Sequence, residues 1–322
     1  MRKRILGKTG FELTELGYGA WALGGTGKVE NYGEVHETEA IAVLHKYVEE
    51  GGNYIDTARA YNNCENIIGK FFIEYGKREN IFISTKTVAG ANAETLDNIR
   101  NDIETSLRML NTDYIDILFL HQPPEEKDVM NKALDILLEI KEEGKIRSIG
   151  ASIKGVDVTK KTEALCRQYI KTAKIDVIQL VYSILRQRLL TVIQEAKNSG
   201  VGIIARTALE SGLLTGKYRV GQTFSGQDQR RRYKEDNLEF ILKTTEALQE
   251  IAKENHYSSI SNMAIKFALA PEGVTSLIIG AKNVAQLQQN MKTSSLPDID
   301  DALLKKLYQN YGNVTDRANY LT

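Results

Sequence analysis

Short runs of aliphatic and β-branched residues recur along the chain at residues 15–20, 53–57, 81–86, 114–121, 146–152, 177–183, 201–207 and 275–281. None shows the apolar/polar alternation of a half-solvated strand. A parallel strand covered on both faces must be apolar nearly throughout, and these runs meet that requirement. Between them lie stretches with apolar residues at helical spacing: 36–50, 93–110, 129–143, 159–171, 187–198, 238–255 and, shorter, 284–291. A further helical stretch at 258–268 precedes the last strand, and the tail, 300–322, adds a helix and then an irregular end. Eight strands alternating with helices predict an α/β fold, a closed (β/α)8 TIM barrel, in preference to an open doubly wound sheet.

Residues 3–16 alternate around Lys8-Thr9-Gly10 and predict a small N-terminal β-hairpin ahead of the barrel. Pro123, Pro124, Pro271 and Pro297 are the only prolines, and no Pro/Gly/Ser-rich linker divides the chain. Residues 1–322 are therefore expected to form one domain. The polar stretch 216–236 breaks the rhythm as a long loop, and such loops are often functional.

Charge and composition narrow the function. The 42 Lys+Arg balance the 42 Asp+Glu, which argues against a nucleic-acid partner bound through a global basic field. Two cysteines, Cys64 and Cys166, exclude a disulfide scaffold and a Cys-rich metal site. His36, His45 and His256 lack ligand spacing, so no metal is expected. No apolar run approaches the ~18 residues that span a bilayer, and no apolar segment follows the basic start. A cytoplasmic protein without a membrane partner is expected; nothing in the sequence indicates an oligomer. Gly17 and Gly19 with Gly24 mimic a dinucleotide fingerprint, and Gly24–Lys28 mimics a phosphate loop, but both lack required positions.

In a barrel the chemistry sits at the C-terminal ends of the strands. The second strand run ends in Asp56-Thr57, the third in Ser84-Thr85-Lys86 and the fourth in Leu120-His121, with Tyr61 in the loop after the second. A phenol has a reference pKa near ~10, and a nearby ammonium favours its ionised form. A carboxylate beside the ammonium keeps it charged and in place, and an imidazole can orient a carbonyl oxygen. Such a set makes a general acid aimed at a developing alkoxide. Carbonyl reduction needs that acid and a hydride, which a nicotinamide cofactor carries.

Asp56-Thr57-Ala58-Arg59-Ala60-Tyr61 with Glu65 and Gly69, then Ser84-Thr85-Lys86 and Leu120-His121, resemble the aldo-keto reductase signatures in order and spacing. Leu6-Gly7-Lys8-Thr9-Gly10 and Gly17-Tyr18-Gly19-Ala20-Trp21 fit as well. The resemblance covers nearly the whole chain and implies the same barrel. It implies Tyr61 as proton donor, Lys86 as its activator, Asp56 as the partner of Lys86, His121 as the group orienting the carbonyl, and Trp21 as a pocket wall. It further implies NADP(H) as cofactor and a small carbonyl compound, an aldehyde or ketone, as substrate.

On the cofactor side, Ile149-Gly150-Ala151-Ser152 resembles the segment that holds the nicotinamide carboxamide, with Ser152 and Gln179 as donors and Ile153 where many members have Asn. Tyr182 is expected to stack on the nicotinamide ring. Thr207 to Lys217 resembles the pyrophosphate strap, through Thr207, Leu209, Gly212 and Lys217; Ala208 stands in place of the usual Pro and Arg206 where an aromatic is commoner. Gly280, Lys282, Gln286 and Asn290 are expected at the adenosine end, where a helix N-terminus attracts anions and Lys282 adds charge for a 2′-phosphate. Two alternatives stand beside the reductase. One is a cofactor-binding regulatory subunit resembling potassium-channel β-subunits, with slow or no turnover. The other is a Schiff-base aldolase acting through Lys86.

Overall fold

A computed structural model describes residues 1–24, 35–153, 157–226 and 228–319. The N-terminal hairpin pairs β1 (Lys3–Ile5) with β2 (Glu12–Thr14), antiparallel, around a short 3-10 turn at Gly7–Thr9. The eight parallel strands are β3 (Leu16–Gly19), β4 (Tyr54–Asp56), β5 (Phe82–Thr87), β6 (Ile115–His121), β7 (Ile146–Ser152), β8 (Val177–Val181), β9 (Gly202–Arg206) and β10 (Val274–Ile279). They follow one another in chain order around the sheet, and β10 closes onto β3. Of the phosphate-loop mimic Gly24–Lys28, residues 25–28 lie outside the described residues.

The helices are α1 (Glu37–Glu49), α2 (Cys64–Tyr75), α3 (Ile99–Leu110), α4 (Lys127–Glu142), α5 (Lys160–Lys171), α6 (Leu190–Asn198), α7 (Glu235–Glu254), α8 (Ile260–Leu269), α9 (Val284–Met291), α10 (Asp301–Tyr311) and the short α11 (Thr315–Ala318). Side-chain caps start several of them: Ser259 accepts from Asn262 N, Asn283 from Gln286 N, and Asp300 from Leu303 N. The predicted helix over 93–110 divides at its start into a 3-10 segment, Ala93–Asn98, and α3. The polar loop is shorter than expected, because a 3-10 turn at Gln229–Arg232 leads into α7 at Glu235.

Helix α2 is absent from the predicted elements, although its buried Cys64, Ile67, Ile68, Phe71 and Phe72 recur at helical spacing. Gly69 interrupts that face for a reason of packing. A Cβ there would stand 2.1 Å from the Met109 carbonyl oxygen on α3. The glycine lets the two helices approach backbone to backbone.

Side chains alternate across each strand, so parity assigns the barrel interior. Tyr54, Ile117, Phe119, Val177 and Ile204 fill it, with Leu6, Phe11 and Leu13 from the hairpin region closing one end. The same parity sends Asp56 (β4), Lys86 (β5), His121 (β6), Ser152 (β7), Gln179 (β8) and Arg206 (β9) inward at the C-terminal ends. A polar mouth therefore caps an apolar plug.

Candidate active site

The mouth is organised around Asp56, which is only 1% exposed. Its Oδ2 accepts from Lys86 Nζ at 2.6 Å. Its Oδ1 accepts from Ser84 Oγ at 2.8 Å and from Gln179 Nε2 at 2.7 Å. Because the Ser84 hydroxyl is committed as donor, the 2.8 Å contact between Tyr54 OH and Ser84 Oγ has the tyrosine donating. Gln179 Oε1 in turn accepts from Ser152 Oγ at 3.1 Å. The carboxylate on β4 thus sits in a chain of donors drawn from β5, β8 and, through Gln179, β7. A buried charge persists only when it is paired and hydrogen-bonded in this way.

Lys86 is fully buried and gives a second hydrogen bond to the Thr57 carbonyl at 2.7 Å. Its Nζ also stands 4.8 Å from the centre of the Tyr61 ring. Tyr61 meets His121 edge to face, with ring centres 5.8 Å apart and planes at 84°. Trp21 also neighbours Tyr61, with ring centroids 6.4 Å apart and planes tilted by 51°. The four residues singled out by chemistry, and the tryptophan beside them, therefore do come together.

His121 is held neutral. Burial, with the charges of Lys86 and then Arg206, lowers its pKa from 6.5 to about 3. Its Nδ1 is buried with no hydrogen-bond partner among the described residues. Below pH 6.5 the unfolded chain takes up a proton that the folded ring refuses, so stability falls as pH drops toward 3. Between pH 6.5 and about 5 the expected loss is up to about 2 kcal/mol from this ring alone. His121→Gln should lose correspondingly less stability over that interval, as read from urea unfolding at both ends. Parallel losses in the two proteins would contradict the assignment.

Two mouth assignments change. Tyr182 follows β8 on the opposite parity from Gln179 and points outward. Its ring is fully buried and stacks on Phe267 of α8, at 5.6 Å and 10°. In this position it cannot present a face to the mouth. Arg206 ends β9 on the inward parity instead, with Nη2 donating to the Ile153 carbonyl at 2.7 Å. Counting by twos from Gln179 would have excluded Tyr182, and counting from Ile204 would have found Arg206.

The segment after β9 is conformationally unusual. Thr207, Glu210 and Ser211 all have positive φ, +66°, +48° and +55°. Non-glycine residues in that region carry strain and gather at functional loops. Leu209 is half-buried at the start of the Glu210–Thr215 turn, Gly212 has φ +87°, and Lys217 is exposed next to Tyr218. The loop is anchored from beneath, which its sequence did not suggest. Glu210 and Arg186 are both fully buried and paired at 2.8 Å, and Ser183 donates to the other carboxylate oxygen. Burial pushes the Glu210 carboxyl up and Arg186 opposes that shift. Arg186 also reaches Tyr233 OH and the Ala318 carbonyl.

Gly280, Lys282, Gln286 and Asn290 sit together where β10 passes into α9. Lys282 N donates to Gln286 Oε1 at 3.0 Å, and Asn290 Nδ2 to the Gly280 carbonyl at 3.3 Å. Burial, then the charge of Arg230, lowers the Lys282 pKa, and Lys217 adds to that effect. Lys217 and Arg230 are thus within electrostatic reach of Lys282, moderated by Asp228, which accepts from Arg230 Nε at 2.9 Å.

The closed barrel therefore carries a carboxylate, an ammonium, a phenol and an imidazole at its C-terminal mouth. Residues 15–309 match the profile of the Aldo/keto reductase family, and the chain belongs to that family of oxidoreductases. It is 29% identical to the aldo-keto reductase YhdN of Bacillus subtilis, covering 89% of this chain and 87% of that protein. It is 28% identical to an NADH-specific methylglyoxal reductase of Escherichia coli, over 95% of this chain and 98% of the other. Its fold superposes on the holo form of aldo-keto reductase AKR11C1 from Bacillus halodurans with a TM-score of 0.74, at 24% identity, covering 97% and 99% of the two chains. Among the described residues no helix is long and apolar enough to cross a membrane.

Proposed function

We propose that the protein reduces an aldehyde or ketone with NADPH, Tyr61 giving the proton to the carbonyl oxygen. The observation that carries this reading is the buried Lys86–Asp56 pair set against the Tyr61 ring, with neutral His121 at its edge. The carboxylate keeps the ammonium in place. The ammonium stabilises the negative charge that grows on the phenol oxygen as its proton leaves. A neutral imidazole donates a hydrogen bond to a carbonyl oxygen without competing as an acid. Trp21 bounds the space in front of Tyr61 and limits the shape of what enters.

The residues around the mouth fit a dinucleotide. Lys217, Arg230 and Lys282 gather positive charge beside the N-terminus of α9, which suits phosphates. The strained turn from Thr207 to Gly216 follows β9, in the sequence region expected to strap a pyrophosphate. Ser152 and Gln179 would hold the carboxamide, and Gln286 and Asn290 would meet the adenine. The chemistry a reduced nicotinamide supplies when bound is the hydride, which no side chain carries.

A screen of simple aldehydes, ketones and sugars, followed by NADPH consumption, tests the reading. Consumption with at least one carbonyl class supports it. NADPH binding without consumption across the screen would favour a regulatory subunit instead. The choice of NADPH over NADH rests on Lys282. Lys282→Ala is expected to weaken NADPH about tenfold, a loss of about 1.4 kcal/mol, and NADH far less. Fluorescence titration with both cofactors decides the matter; equal losses would remove the basis for NADPH.

A further inference from the structure

Behind the mouth, on the outward side of β5, lies a second charged network that none of the steps above uses. Thr85 and Thr87 flank Lys86 and therefore point away from the barrel axis. Thr85 Oγ1 donates to Glu65 Oε1 at 2.6 Å, and Thr87 Oγ1 to Asp102 Oδ2 at 2.5 Å. The free oxygens of these two carboxylates converge on one guanidinium. Arg59 Nη1 donates to Glu65 Oε2 at 2.8 Å, and Arg59 Nε reaches Asp102 Oδ1 at 3.3 Å. Glu65 is nearly inaccessible, at 3% exposure.

Arg59 stands two residues before Tyr61 in the β4–α2 loop. Its own N–H donates to the Lys86 carbonyl at 3.1 Å. Backbone and side chain together therefore fasten this loop to the strand that carries Lys86, to α2 through Glu65 and to α3 through Asp102. Tyr61 is fixed from the other side by Tyr61 N to the Ala58 carbonyl and Cys64 N to the Tyr61 carbonyl, both at 3.0 Å. The phenol thus rides on a short span whose entry is held by Arg59.

We propose that Arg59 is a positioning residue: clamped between Glu65 and Asp102, it sets the placement of Tyr61 over Lys86 and thereby the rate of proton transfer. This rests on Tyr61 being the donor. Arg59 touches neither substrate nor cofactor in this account, so it should act on kcat and leave binding alone.

The test is Arg59→Met, which keeps the stem and removes the charge, assayed with the best carbonyl from the screen. A fall in kcat of about tenfold to a hundredfold is expected, the scale of a misplacement near 1 Å. KM for the carbonyl and NADPH affinity should stay within about twofold, and the solvent deuterium isotope effect on kcat should rise as proton transfer becomes limiting. Arg59→Lys should restore part of kcat, because an ammonium can reach one carboxylate but cannot fork to both. In a Tyr61→Phe background, Arg59→Met should cost almost nothing more. An unchanged kcat, an unchanged isotope effect, or an equal loss in both backgrounds would overturn the proposal. If Arg59→Met does not fold, Asp102→Asn carries the test, with the same split between kcat and binding expected and an unchanged kcat overturning it. Full activity in Tyr61→Phe alone would instead overturn the donor assignment.

Discussion

Tyr61→Phe is expected to lower kcat for carbonyl reduction by about 10² to 10⁴, the usual contribution of a positioned general acid. The change removes one oxygen and keeps the ring, so the edge contact to His121 and the packing beside Trp21 survive. NADPH should still bind with its wild-type fluorescence change, because no cofactor contact is assigned to that hydroxyl. Steady-state kinetics alongside a binding titration separates the two effects. A variant that retained wild-type kcat would refute the assigned donor, and one that lost NADPH binding would place Tyr61 in a different role.

Lys86→Met should be costly in two ways. Asp56 would remain buried with Ser84 and Gln179 still donating to it, but its charge would lose the partner 2.6 Å away. Removing one member of a buried pair typically costs about 3–5 kcal/mol, because the other charge stays in a low-dielectric site. Replacing both members is far milder, so Asp56→Asn with Lys86→Met should recover most of that stability. Neither protein should recover activity, since the ammonium that stabilises the phenolate is gone from both. Guanidinium unfolding and the NADPH assay, run on the same three proteins, check these expectations. A single variant destabilised by less than about 1 kcal/mol would mean that Asp56 is not held as a charge there.

The barrel was legible because burial on both faces leaves a parallel strand almost no polar residues to hide its signal. All eight strands lie where those runs predict, and the hairpin pairs around its expected turn. The converging residues Asp56, Lys86, His121 and Tyr61 were legible through their joint placement: any one of them alone has an ordinary structural explanation, but an acid, a base, an imidazole and a phenol at three successive strand ends do not. Helix α2 was obscured by Gly69, whose purpose appears only when the Met109 backbone is seen against it. The exchange of Tyr182 for Arg206 at the mouth has a simpler origin. A segment can match a motif in composition and still be one residue out of phase, and in a strand one residue turns a side chain to the opposite face. The Arg186–Glu210 pair joins the segments after the adjacent strands β8 and β9, and the clamp around Arg59 joins the loop after β4 to β5, α2 and α3; pairing of neighbouring strands brings these side chains together, which no local pattern in the sequence announces.

In the proposed reaction this mouth delivers a proton to a carbonyl oxygen while a nicotinamide delivers hydride to the carbonyl carbon. Label transfer reads that directly. The protein is incubated with NADPH deuterated at C4 of the nicotinamide and an aldehyde found in the screen, and the alcohol is analysed by mass spectrometry. Deuterium is expected on the carbinol carbon from one of the two C4 positions and none from the other. An alcohol unlabelled from both, or no alcohol while NADPH stays bound, would contradict it.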